Sequence, residues 1–204
     1  MNIEEIKNIK AKSNGTTLYE HTCMVIETGL KLLQSLSLSD RAQAFLKQNF
    51  LQAAILHDLG KVHPTFQKRL SGDKNASIRH ELVSVWFAET FLEVNNAVLF
   101  AVATHHKSVE SSSCNKSLSM QDLNGISISI DEGAYLPASE GTMCLETLQS
   151  WLSLFSEDFV YRKEKLEKIP STFCYMFREG KQKKAIPCLE DRQRFSLLRA
   201  FLQA

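Results

Sequence analysis

His57 and Asp58 stand side by side near the end of the apolar stretch 51–61, LQAAILHDLGK, and pair an imidazole with a carboxylate on one short segment. Adjacent side chains on a helix point roughly 100° apart, so such a pair can address one metal ion from two directions. Alternatively, the carboxylate can bridge two ions while the imidazole binds one. A His-Asp dipeptide alone also arises as a charge pair at a helix C-terminus. The weight comes from the rest of the set: His21, His80, His105 and His106 join the pair, each near the end of a helical segment. Helix ends that converge on one pocket are how helical bundles build metal centres. Imidazole and carboxylate without thiolate suit borderline divalent ions such as Mn, Fe, Co, Ni or Zn. Six ligands sharing one carboxylate suit two ions about 3.5–4 Å apart, an arrangement that stabilises both oxygens of a phosphoryl transfer.

The elements that must position these residues follow from periodicity. Ile3, Ile6 and Ile9 mark a short charged helix over 2–12, ended by Ser13-Asn14-Gly15. Thr17 with Glu20 is a capping-box pattern that opens a helix running to about Ser35, with His21 in its first turns. Ser39 caps a helix with a broad apolar face (Phe45, Leu46, Phe50, Ala53, Ala54, Leu56) that is predicted to stop at Gly60. His63 precedes Pro64 and must be extended, which makes it a loop residue near the pocket mouth. An amphipathic turn over 64–70, a loop over 71–75 and a helix over 77–94 follow. Asn95 and Asn96 cap a helix over 97–106, so apolar that it should be buried on most sides. The Ser-rich stretch 107–116 reads as loop, and 125–130 alternates with period two as half of a small β-hairpin over 124–137. Helical patterning resumes over 142–155, 161–168, 172–178 and 191–204. The expected fold is mainly α, a helical bundle with one hairpin insertion.

The bulk composition bounds the rest. A chain of 204 residues fits one domain able to bury about 70% of its unfolded surface. Lys and Arg number 24 against 23 Asp and Glu, a net charge of +1, so no global field attracts nucleic acid and such binding must come from local clusters or metal ions. The clusters 162–165, Lys168 and 181–184 read either as phosphate contacts or as solvated helix faces. Five scattered cysteines without a C-x-x-C pair argue against a zinc knuckle or a disulfide framework. No run approaches the roughly 18 apolar residues of a membrane span, and the start MNIEEIKNIK has no apolar signal core. A soluble, cytoplasmic protein without a membrane partner is expected.

The order H…HD…H…HH resembles the HD superfamily of metal-dependent phosphohydrolases. In detail the chain is similar to the HD nuclease domain of the type I CRISPR helicase-nuclease. The strings that carry this are Tyr19-Glu20-His21, HDLGKVHPTFQ over 57–67, RHELVS over 79–84 and THH over 104–106. The resemblance implies an HD-domain helical bundle over 1–204 in which His21, His57 and Asp58 hold one metal ion. Asp58, His80, His105 and His106 would hold a second. Two divalent ions, Mn, Ni, Co or Fe, with Mg as a further option, are implied cofactors. Asp58 and Lys61 would carry the catalytic roles, Lys61 through a substrate phosphate. The residues alone leave Lys61 equally readable as a cation favoured at a helix C-terminus, and Ser84 as orienting a ligand through a hydrogen bond or simply packing. Glu81 is not a zincin base, because Ser84 stands where H-E-x-x-H needs its second histidine.

The implied activity is hydrolysis of single-stranded DNA in CRISPR interference, an antiviral defence, beside a helicase domain or subunit and the CRISPR surveillance complex. Two other readings keep the same fold: an HD phosphohydrolase of nucleotides or cyclic nucleotides, and a non-catalytic HD scaffold. No P-loop occurs, so no motor is encoded here. The family pattern also has a late aspartate on a C-terminal helix; the approach FSLLRAFLQA over 195–204 lacks it. The expectation is a chain that forms the N-terminal part of a longer polypeptide; the alternative is that Asp191, Asp158 or Asp122 substitutes for the missing residue.

Overall fold

The computed structural model describes residues 1–76, 78, 80–106, 144–163, 198 and 200–203. These residues are mainly α-helical. The helices are α1 (Ile3–Lys7), α2 (Leu18–Ser35), α3 (Asp40–Leu56), α4 (Pro64–Leu70), α5 (His80–Phe91), α6 (Asn96–Thr104) and α7 (Leu145–Leu152), with a 3-10 turn over Leu59–Val62 and helical residues at 198 and 200–203. The hairpin expected over 124–137, the loop over 107–116 and the helices over 172–178 and most of 191–204 lie outside the described residues. So do Asp122, Asp191, the basic residues 164–184 and three of the five cysteines; the other two, Cys23 and Cys144, form no disulfide with each other.

α3 is the central element. α2 packs on one side of it and α6 on another, and α5 closes on α6 and on the 3-10 turn. The last two turns of α3, from Asn49 to Leu56, bury Phe50, Ala53, Ala54, Ile55 and Leu56, so small residues let neighbouring backbones approach. α6 is buried along its whole length from Val98 to Thr104, as its unbroken apolar sequence requires. α7 is fastened to α3 by the Trp151 indole, which donates to the Ile55 carbonyl at 2.8 Å. No helix among the described residues is long and apolar enough to cross a membrane.

The capping signals operate as expected. Thr17 Oγ1 accepts from the Glu20 amide at 3.2 Å while the Glu20 carboxylate accepts from the Thr17 amide at 2.9 Å. The starting point of α2, and with it the direction of His21, is thereby fixed. Several boundaries differ from the periodicity. α1 ends at Lys7, because the Ser13-Asn14-Gly15 turn, with Gly15 at φ 97°, folds Lys10 back against Thr17 in an antiparallel bridge. α3 ends at Leu56 because Asp58 leaves helical geometry (φ −110°, ψ 4°). α5 ends at Phe91, since Leu92 pairs with Tyr161 and the Glu93 amide donates to Val160 at 2.8 Å. That pairing also makes Tyr161 extended where a helix over 161–168 was predicted. His63 is not at a pocket mouth: it is 3% exposed, and its Nδ1 accepts from the Thr65 amide at 3.1 Å to cap α4.

Gly29 sets the α2–α3 spacing. A Cβ there would stand 2.1 Å from the tip of the Phe50 ring, which is fully buried and packs edge-on against Phe201 with centroids 5.5 Å apart. Glycine inside a helix costs about 1 kcal/mol relative to alanine, yet overpacking a filled core costs about 1–3 kcal/mol. The clash therefore decides the sign. Gly29→Ala should lower stability by up to about 2 kcal/mol in urea denaturation, the clash less the helix gain, and Phe50→Leu should cost less in that background than in the wild type. A stabilised Gly29→Ala would show that the ring can swing aside.

His63 gives a second expectation. Burial, with a smaller effect from Lys68, pushes its pKa down from 6.5 to about 4. Between those values the unfolded chain binds the extra proton and the folded chain does not, so stability falls as pH drops through that window. His63→Asn keeps a capping side chain without the titration. Its unfolding free energy should lose less between pH 7 and pH 4 than the wild type's, by up to about 3 kcal/mol; equal losses would dismiss His63 as the source.

Candidate metal centre

Three helix termini bring the imidazoles together. His57 is the C-cap of α3 and His105 that of α6, while His80 opens α5. At a helix C-terminus the last carbonyls lack amide partners, and both C-cap histidines use one of them. His57 Nδ1 lies 2.6 Å from the Ala54 carbonyl and His105 Nδ1 lies 2.6 Å from the Val102 carbonyl. A carbonyl only accepts, so Nδ1 carries a proton in each ring, and the ring turns its Nε2 toward the centre of the cluster. The same i−3 contact thus orients both rings and sets their tautomer, as outer partners of metal-bound imidazoles do. His80 turns Nδ1 toward the Glu81 carboxylate at 3.6 Å, which leaves its Nε2 facing inward.

All these nitrogens face one carboxylate. Asp58 is 2% exposed. Its Oδ1 lies 2.9 Å from His80 Nε2 and 3.5 Å from His105 Nε2. Its Oδ2 lies 3.1 Å from His21 Nε2, 3.3 Å from His57 Nε2 and 2.7 Å from Lys61 Nζ. The two oxygens therefore serve two different sets. Ligand atoms of Asp58, His80, His105 and His106 lie within 4.8 Å of one another, and so do those of His21, His57 and Asp58. Burial alone would raise the Asp58 pKa, but the imidazoles of His57, His105 and His21 pressed against it outweigh burial and hold the carboxyl ionised, well below its usual range.

His106 has one side open to solvent while its ring packs on those of His105 and His80, centroids 4.0 and 5.0 Å away. Desolvation, then the neighbouring imidazoles, push its pKa down to about 4, so it is neutral and able to donate a lone pair at pH 7. His21, at 18% side-chain exposure, marks another open side of the cluster.

The donors fit a cation. Asp58 Oδ1, His80 Nε2 and His105 Nε2 are buried and make no hydrogen bond, although the nitrogens approach that oxygen closely. Leaving such atoms unpaired costs about 1–3 kcal/mol each. Three buried donor atoms facing inward without hydrogen-bond alignment are what a divalent ion accepts, and a nitrogen and oxygen set without thiolate suits a borderline transition ion.

The surroundings depend on Gly60 and Ser84. The Gly60 amide donates to Ser84 Oγ at 2.7 Å, and that hydroxyl donates to the His80 carbonyl at 2.9 Å. Ser84 therefore acts on the backbones of two ligand-bearing segments, not on a ligand ring. A Cβ on Gly60 would stand 2.1 Å from the His80 carbonyl oxygen, so only glycine permits this approach. Lys61, 6% exposed, has its ammonium on Asp58 and also 5.7 Å over the Phe66 ring. Asp158 is not among the residues gathered here, whereas Gln203 donates its side-chain amide to the His105 carbonyl at 2.5 Å. Sequence reasoning assigned no role to Gly60, Phe66, Gln67 or Gln203. Phe66 and Gln67 carried a signal, since they end the string that begins at His57, but their partners are set by the fold.

Comparison with known proteins bears on the same residues. The profile of the family described as Cas3, HD domain matches residues 12–177. A protein of Myxococcus xanthus (strain DK1622) bearing the name CRISPR-associated nuclease/helicase Cas3 is 32% identical to this chain, over 40% of the chain and 13% of the relative. The chain thus spans a small part of the length of that relative. No solved structure gives a significant match. Because the profile covers most of the chain and takes in every imidazole of the cluster around Asp58, the chain belongs to the Cas3 HD-domain family of CRISPR-associated, metal-dependent hydrolases.

Proposed function

We propose that this chain is a nuclease domain that hydrolyses phosphodiester bonds of single-stranded DNA in CRISPR interference. One observation carries the reading: the two oxygens of Asp58 face two separate sets of imidazoles. In this reading His21, His57 and Asp58 hold one divalent ion, and Asp58, His80, His105 and His106 hold the second. When bound, ions of the Mn, Ni, Co or Fe class would supply Lewis acidity toward the phosphodiester and toward water near neutral pH. The name of the relative, a CRISPR-associated nuclease/helicase, supports a helicase domain or subunit as partner; delivery of the strand beside a CRISPR surveillance complex in the cytoplasm is part of the same proposal.

The chain's own residues divide the remaining work. Asp58, held ionised by its neighbours, keeps two imidazole sets at fixed separation. Lys61 supplies a cation next to that carboxylate; with a phosphate present, its ammonium stands where negative charge accumulates. The carbonyl contacts of His57 and His105 keep the rings from rotating, so their lone pairs stay aimed during turnover. Ser84 holds the 3-10 turn against α5 and so sets the distance between Asp58 and His80.

Labelled circular and linear single-stranded DNA, incubated with the chain and Mn, Ni, Co or Mg, tests the reading. Cutting of circles by the wild type, lost in both His57→Ala and Asp58→Ala, is the expected result, with Asp58→Ala losing more because it removes a shared ligand. Circles and linear strands both left whole by a metal-loaded wild type would reject it. Ser84→Ala should weaken metal affinity or cleavage about 10–100-fold without unfolding the chain. Unchanged affinity and rate would reduce Ser84 to packing.

A further inference from the structure

Phe66 sits at the rim of the metal centre without a role in the chemistry above. Its ring meets the His80 ring edge to face with centroids 4.9 Å apart, and the Lys61 ammonium lies 5.7 Å over it. It is nevertheless only half-buried, and the next residues on α4, Lys68 and Arg69, are exposed cations. A core aromatic would be covered by apolar side chains; this one stands between two residues of the centre and a basic helix end.

The position of Phe66 is also held firmly. His63 caps α4 and Pro64 begins it, which presets its first turn. Gln67 then uses both protons of its side-chain amide, donating to the Lys61 carbonyl at 2.7 Å and to the Lys10 carbonyl at 3.0 Å. α4 is thereby tied to the turn that carries Lys61 and to the N-terminal segment. An aromatic fixed in place loses little freedom when a ligand packs on it.

From this geometry we infer that Phe66 is a stacking platform for a nucleobase next to the scissile phosphate, with Lys68 and Arg69 meeting the phosphates that follow. A half-exposed ring one neighbour away from a metal-ligand imidazole, followed by cations, is the pattern by which proteins hold single strands without reading their sequence. The inference rests on the proposed nuclease reading and adds what it lacks: a reason for the site to take a polynucleotide strand in preference to a small phosphodiester.

The test compares a single strand bearing 2-aminopurine with the same strand carrying abasic residues, in wild type, Phe66→Leu and Phe66→Trp. Leucine keeps the apolar bulk beside His80 but offers no ring. Wild type and Phe66→Trp should bind the base-bearing strand at least about fivefold more tightly than the abasic one and quench the 2-aminopurine fluorescence. Phe66→Leu should lose both the preference and the quenching while binding and cutting the abasic strand as the wild type does. A preference kept in full by Phe66→Leu would overturn the stacking role. Loss of abasic-strand cleavage together with the preference would make Phe66 a support for His80 and overturn it equally. If the wild type cuts neither strand with any metal, the nuclease reading itself fails, an outcome distinct from both.

Discussion

The burial of one carboxylate is the constraint on which the rest of this structure depends. An ionised Asp58 removed from water needs compensation of several kcal/mol, and it receives it from imidazoles on four helices and from Lys61 three residues along. Each contact demands a particular terminus in a particular place. α3 must end where it does so that Asp58 turns inward; α6 must end beside it; α5 must begin there. The apolar core of Phe50, Ile55, Leu56, Phe87, Val98 and Val102 serves that convergence as much as it serves stability. A small error in helix length would leave a charge buried and unpaired.

How much of this was legible follows from the range of each interaction. The candidate ligand residues stood out because imidazole and carboxylate fall near helix ends: the Thr17–Glu20 box marks the end beside His21, while Ser39 and Asn95 mark where α3 and α6 begin, and the length of each apolar run then places His57 and His105 at the far end. Helix existence followed from apolar spacing, so the mainly helical fold was readable. What escaped depends on partners distant in the chain. Ser84 looked like a residue one turn below His80, yet its donor is Gly60, twenty-four residues earlier. The reach of Gln67 to Lys10, fifty-seven residues apart, leaves no local trace. Likewise α1 stops early because Lys10 pairs with Thr17, and His63 is buried by elements that no local pattern around Pro64 predicts.

The centre is arranged for chemistry more than for stability. Unpaired lone pairs on Asp58, His80 and His105 are a local cost that a purely structural core would have removed by substitution with apolar side chains. The surrounding structure bears it through the close approaches that Gly60 permits against α5 and Gly29 against Phe50, and through the Trp151 indole bonded to an α3 carbonyl. Rigid support and an energetically unfavourable interior thus occur on the same elements, as is common where a protein positions reactive groups.

The helix termini at Asp58 also have a polarity. α3 and α6 arrive with their C-terminal ends, each bearing roughly half a negative charge from aligned peptide dipoles, whereas α5 arrives with its N-terminal end and the opposite sign. The pocket is therefore electrically sorted before any side chain is counted. Around His57 and His105 the backbone itself attracts cations, and on the side of His80 it attracts anions. A phosphate approaching from the α4–α5 side would meet a field of the favourable sign, set by the direction in which α5 runs.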